Sequence, residues 1–265
     1  MHKRILQLFL IALILIYLPI RSSAWGTNGH RIVGEIASKY LTIKTRLEIQ
    51  KILGHESIAM ASNWADFIKS DSNYRYLYNW HFVNFKPGLN YDAFKEVLKT
   101  DTAVNAYTKL NFLIKELKKK DLAKDKKVMY LKLLIHIVGD LHQPLHASPE
   151  GTTGGNDIKL TWFNTPSNLH RVWDEQMIEL QQLSYTEYVK AIEHTTLAER
   201  KNLQKQPLSE WIFKSYSIAE QLHKEITEKE PRLGYRYDYD HIHILNEQLV
   251  SGGVHLAGLL NEIFN

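Results

Sequence analysis

Cysteine is absent from all 265 residues. No disulfide can form, so stability has to come from core packing and bound metals. No Asn-x-Ser/Thr glycosylation acceptor occurs either. Both absences suit a bacterial periplasmic or secreted protein. Long apolar runs are missing after residue 24, and the single early run, Ile5 to Ile20, falls short of the roughly 20 residues a membrane span needs. A surplus of basic charge is lacking too. Lys3, Arg4 and Arg21 are the only charged residues among the first 24, and without them the formal charge of +4 falls to +1. That balance argues against a diffuse footprint for duplex nucleic acid, so a phosphate ligand would need a local site.

The opening segment has the layout of an export signal: a charged start, an apolar middle, and Ser22-Ser23-Ala24 as small residues at the cleavage position. The Ser-Ser-Ala boundary favours cleavage over retention as a membrane anchor. A cut between Ala24 and Trp25 leaves residues 25–265 as the working protein and gives Trp25 a free α-amino group. Such an amine, with an ordinary pKa of about 7.7–8.0, can yield its proton to a metal near neutral pH.

Residues 25–265 read as one mainly helical domain with no linker or repeat. Ile32, Ile36 and Tyr40 share a helix face, and a second apolar pattern stops at Gly54. Helices are expected over 58–70, 91–119, 126–141, 170–183, 185–198, 209–229 and 241–264, with 91–119 and 126–141 long and amphipathic. Pro144 interrupts this pattern, and a Gly-rich loop follows at 151–155. Ile158, Leu160 and Trp162 alternate with polar residues as in a small hairpin. The lysine-rich turn between Lys118 and Lys127 reads as a solvated loop.

Two clusters carry chemistry. In one, His136 and Asp140 lie four apart on a helix face, and Pro144 bends the chain to bring His146 in from another direction. In the other, His170 and Asp174 repeat the spacing. Asp66, His81 and His30 lie upstream. Burying carboxylates among Ile, Val, Leu and Trp is costly unless they are paired or bind metal. Spacing alone leaves a metal site and chance ion pairs both open. His142 lies between candidate ligands and is left unassigned.

The run Trp25-Gly-Thr-Asn-Gly-His30, with Ala-Ser-Asn-Trp-Ala-Asp66, Trp80-His81-Phe82, His136-x3-Asp140-x5-His146, Gly-Gly-Asn156 and Asn-Leu-His170-x3-Asp174, resembles the zinc-dependent S1/P1 nuclease family. The resemblance extends to Gly253-Val-His-Leu-Ala-Gly-Leu-Leu-Asn261. It implies a mainly α-helical fold of the phospholipase C/P1 nuclease type and three zinc ions. One would be held by Asp66, His81, His136 and Asp140, and one by His146, His170 and Asp174. The third would take the Trp25 amine and carbonyl, His30 and a bridging Asp140. It further implies hydrolysis of single-stranded RNA and DNA to 5′-phosphate products by a hydroxide shared between metals, with 3′-nucleotidase activity. Asp66, Lys69 and Asp140 would be catalytic, and Phe82, Asn84 and Asn156 would bind substrate. Asn84 stands where the best-known fungal members carry aspartate, which loosens any base preference. A monomer with no stable membrane association is expected.

Two other readings remain. A zinc-dependent phospholipase C shares the fold, but its counterpart of the His170–Asp174 pair ends in Glu. A non-catalytic helical zinc-binding protein would leave Lys69, Phe82 and Asn156 without a purpose.

Overall fold

The computed structural model describes residues 25–265; the expected signal segment lies outside them. Helix α1 (Thr27–Lys39) leads through Thr42, whose side chain accepts from the Thr45 amide, into α2 (Ile43–Leu53). Gly54 ends α2 at φ 67, as the sequence suggests. The helix expected over 58–70 is divided into α3 (Ile58–Ala61) and α4 (Trp64–Ile68). An aromatic 3₁₀ segment, Ser72–Trp80, then carries the chain to His81.

The long helix expected over 91–119 is two helices, α5 (Tyr91–Thr100) and α6 (Ala106–Leu117). Asn105 breaks it. Its side chain accepts from the Thr108 amide while Thr108 bonds back, a capping box that starts a new helix inside the apolar pattern. Helix α7 (Lys124–Asp140) also departs from expectation. Rather than amphipathic throughout, its second half is enclosed on nearly every side, with Leu133 to Asp140 all buried. A helix end of this kind lies in the middle of the molecule, which makes it a stiff mount for side chains.

The expected hairpin forms from β1 (Lys159–Trp162) and β2 (Thr165–Asn168), antiparallel with Leu160 opposite Ser167. Directly after it come α8 (Leu169–Arg171), a π turn at Val172–Gln176 and α9 (Met177–Leu180), where one regular helix was expected. Thr196 caps a new helix within the expected 185–198 segment, giving α10 (Tyr185–Ile192) and α11 (Leu197–Leu203). Helix α12 (Leu208–Glu225) follows. A short β3 (Arg232–Leu233) joins β1 in parallel, for a sheet order β2-β1-β3. Two residues show no alternation, so this strand leaves no mark in the sequence. Helix α13 (Tyr235–Phe264) starts six residues earlier than expected and spans 30 residues.

One hydrophobic core runs through these helices and includes Trp25, Ile36, Leu134, Trp173 and Leu256. Gly253 lets α13 lie against α1, since a Cβ there would sit 2.4 Å from the Ile36 Cβ. No helix of the described residues is long and apolar enough to cross a membrane.

Candidate metal centre

Three segments bring ligand candidates to the buried end of α7. His30 comes from α1, Asp66 from α4, and His81 from the end of the 3₁₀ segment. His136 and Asp140 come from α7 itself. A backbone ladder holds the neighbouring strands in place: the Val83 amide donates to the His146 carbonyl (2.8 Å) and the Phe85 amide to Ser148 (3.1 Å). The segment 81–85 is thereby tied to the loop that carries His146. A Cβ on Gly139 would meet His30 Nδ1 at 2.8 Å, so glycine at that position is what lets the His30 ring stack on His136 at 3.9 Å.

Three groups of donor atoms result, each within 4.8 Å: His30, Asp66 and His136; His81, His136 and Asp140; and His146, His170 and Asp174. Asp140 lies at the junction. Its Oδ2 is 3.0 Å from His81 Nδ1 and 3.1 Å from His136 Nε2, while its Oδ1 faces His30 Nε2 at 3.3 Å. In the third group His170 Nε2 lies 2.9 Å from Asp174 Oδ2, and Gln143 donates to the other Asp174 oxygen. The π turn includes Asp174, and such turns gather at functional sites.

Backbone carbonyls fix the tautomers. His136 Nδ1 donates to the Ser62 carbonyl (2.6 Å), His146 Nδ1 to His81 (2.7 Å) and His170 Nδ1 to Gly154 (2.7 Å). Each ring then turns an unprotonated Nε2 inward, the arrangement that metal-binding histidines adopt. Both ring nitrogens of His30, Nε2 of His146 and Oδ1 of Asp140 are buried without a hydrogen-bond partner. Orphaned polar atoms of this sort cost about 1–3 kcal/mol each, and a cation ligated by them removes that cost. Residue types, tautomers and orphaned atoms all fit zinc, and the three groups correspond to three zinc sites.

His142, left out by the sequence reading, is indeed turned elsewhere. Its Nδ1 donates to Val138 and its Nε2 meets His255 Nδ1, each at 2.7 Å. Trp25 is fully buried and packs beside Gly29 and Gly139, next to His30. The Gly26 amide donates to the Asp174 carbonyl (2.7 Å), anchoring the start of the described chain to the third group.

Burial dominates the electrostatics. It drives the pKa values of His30, His81 and His146 well below the ordinary histidine value, with His136 adding to the effect on His30 and His81. Burial pushes the Asp140 carboxyl up to about 7, although His136 pulls it back, and it also raises Asp174. His136 is raised: burial acts to lower it, but Asp140 and Asp66 outweigh that. A metal must displace the protons that Asp140 and His136 hold, so zinc affinity falls as pH drops below about 7. Chelator competition between pH 5.5 and 8 should show a loss of about tenfold or more per unit on the acid side. The thermal stabilisation by zinc should shrink in parallel. Affinity that stayed flat over that range would contradict the ligand set.

The metal groups open onto a cavity of about 470 Å³. His81, His146 and His170 line it, and so do Lys69, Phe82, Asn84 and Asn156. All four non-metal candidates from the sequence are therefore at one opening. Lys69 Nζ lies 2.7 Å from Asp66 Oδ1, and Asn156 donates to the Thr153 carbonyl at 3.0 Å. Tyr78 also lines the cavity, its ring edge-on to Phe82 at 5.9 Å and 67% exposed. Its only mark in the sequence is a place four residues before Phe82 in an aromatic stretch.

Fold and site together define a metal-dependent enzyme. The family model described as S1/P1 Nuclease matches residues 25–265. The chain is similar to Endonuclease 3 of Arabidopsis thaliana, 29% identical over 276 positions that cover 96% of this chain and 93% of the relative. It is also similar to Nuclease S1 of Aspergillus oryzae, 30% identical over 164 positions (58% of this chain, 55% of the relative), and to Nuclease P1 of Penicillium citrinum, 28% identical over 160 positions (58% of each). The chain belongs to the S1/P1 nuclease family and is a zinc-dependent nuclease acting on single-stranded nucleic acids.

Proposed function

We propose that residues 25–265 form one exported catalytic domain that cuts RNA and single-stranded DNA to 5′-phosphate products and removes 3′-phosphates from nucleotides. The observation that carries this reading is one cavity in which three ligand histidines meet an amine, two amides and two aromatic rings. Asp66, His81, His136 and Asp140 would hold one zinc, and His146, His170 and Asp174 a second. The Trp25 amine and carbonyl, His30 and Asp140 would hold the third. When bound, these ions supply a water acidic enough to attack near neutral pH and positive charge for the phosphate oxygens.

The side chains do the rest. Lys69 points its ammonium group into the cavity from its pair with Asp66, where it can donate to a phosphate oxygen as negative charge develops. Asn156 offers an amide to the nucleotide. Phe82 stacks an unpaired base, and Tyr78 stands at its edge as a second aromatic wall. Asn84 both donates and accepts, so it suits more than one base edge. One chain supplies every group, which supports action as a monomer. The family match begins at residue 25, which supports cleavage after Ala24 and a periplasmic or secreted location.

The test is end-group analysis of products from single-stranded RNA and DNA, with phosphatidylcholine as a parallel substrate. We expect 5′-phosphate termini and an untouched lipid. Phe82→Ala should raise KM by about fivefold to a hundredfold, the worth of one stacked base, with little change in kcat. Cleavage of the lipid with intact nucleic acid would replace this reading by a phospholipase.

A further inference from the structure

Lysines that are far apart in the sequence converge on one concavity remote from the metal groups. It has a volume of about 590 Å³ and lies between α2, the α6–α7 turn and the end of α13. Helix α2 supplies Lys44 and Lys51, and the turn with the start of α7 supplies the others, leaving Glu48 as the only acidic side chain in the lining. Three of the ammonium groups are paired: Lys51 with Glu48 (2.6 Å), Lys118 with Glu262 (2.6 Å) and Lys119 with Glu116 (2.5 Å). Among the described residues Lys44, Lys120, Lys124 and Lys127 have no carboxylate within 4.0 Å.

The local field agrees with that census. A hydrogen bond from Lys51 holds the Glu48 carboxyl below its usual range, and Lys44 and Lys127 add attraction from two different elements. The N-terminus of α7 opens into the same region; its cap residue, Ala123, supplies no side-chain acceptor to the free amides, and Asp125 in the first turn offsets part of their pull. Those amides and the helix dipole favour an anion. Glu48, Glu116 and Glu262 offset three of the seven lysines, which leaves four without a carboxylate partner around one hollow in a chain whose residues 25–265 carry a formal charge of only +1. The unpaired lysines come from α2 as well as from the α6–α7 turn, a convergence that a merely solvated lysine turn does not require.

We propose that this concavity is an accessory site for the phosphate backbone of long nucleic-acid substrates, a reading that rests on the nuclease function above. Ammonium groups recognise phosphates regardless of base sequence. A hollow suits a chain that can enter it better than it suits a flat anionic membrane. Helix α7 links the two sites: Lys124 opens it and Asp140 closes it, about 24 Å away at 1.5 Å per residue. Even at 3.4 Å per nucleotide that separation is about seven nucleotides. A long strand can occupy both sites, whereas a dinucleotide in the metal cavity cannot reach the lysines.

The test neutralises three exposed lysines together, in K44Q/K120Q/K124Q, and compares poly(U) of several hundred nucleotides with the dinucleotides UpU and dTpdT. For poly(U), KM should rise about tenfold. The slope of log(kcat/KM) against log salt should flatten by about 2, at roughly 0.7 per lost phosphate contact. Dinucleotide kinetics should stay within twofold of the unsubstituted enzyme. An unchanged KM and salt slope on poly(U) would overturn the proposal. So would loss of binding to phosphatidylglycerol vesicles with poly(U) kinetics unmoved, because the surface would then face a membrane. Failure of the unsubstituted enzyme to cut poly(U) or either dinucleotide would remove the nuclease reading itself.

Discussion

Asp140→Asn should lower kcat/KM by more than about a thousandfold, a loss of roughly 4 kcal/mol in transition-state stabilisation. The reason is the junction position of this carboxylate. One oxygen faces His81 and His136 and the other faces His30, so in the proposed assignment a single side chain serves two ions. Asparagine keeps the shape but removes the charge and turns one acceptor into a donor. The amide would then turn N–H groups toward a cation, which is repulsive, or occupy with hydrogen bonds the ring lone pairs that the cation needs. Zinc content should fall from three ions to one or two per chain, with the group at His146, His170 and Asp174 retained. Metal analysis and rate measurement on the same preparation decide the matter. A variant that kept three zincs, or a tenth of the activity, would show that Asp140 does not bridge.

A protein with one extra residue before Trp25 should lose about a hundredfold in kcat/KM while keeping its fold. An amine nitrogen has a lone pair to give, whereas in a peptide bond that pair is delocalised into the carbonyl. Adding a residue would therefore remove the proposed amine ligand without altering a side chain. The location is restrictive: Trp25 is fully buried beside Gly139, and the next residue is bonded to the Asp174 backbone. The comparison is between chains starting at Trp25 and at Ala24, measured for zinc stoichiometry, activity and melting temperature. Equal activity with three zincs in both would end the proposed role for the amine.

The ligand candidates stand out in the sequence because zinc chemistry restricts them to a few types, and because two pairs stand four apart on helices. Their grouping comes from the family resemblance and not from spacing. Sequence spacing cannot tell that the His30 ring stacks on His136, since that depends on α1 meeting α7 at Gly139. Helix identities were largely readable, but boundaries failed where a local cap overrode a continuing apolar pattern, at Asn105 and Thr196. The π turn at Asp174 and the two-residue β3 arise from tertiary contacts and have no periodic signal. The lysine run was visible, but Lys44 and Lys51, about 70 residues earlier, turn a charged loop into a concavity.

The burial of the second half of α7 also has a kinetic consequence. Local opening frays surface turns long before it reaches a helix end enclosed on nearly every side. Ligands on the short turns around His146 and His170 can let go while the rest of the chain stays folded. His136 and Asp140 can do so only when the domain itself opens. Metal release should therefore be graded by position, with an ion at His146, His170 and Asp174 leaving before one held by His136 and Asp140.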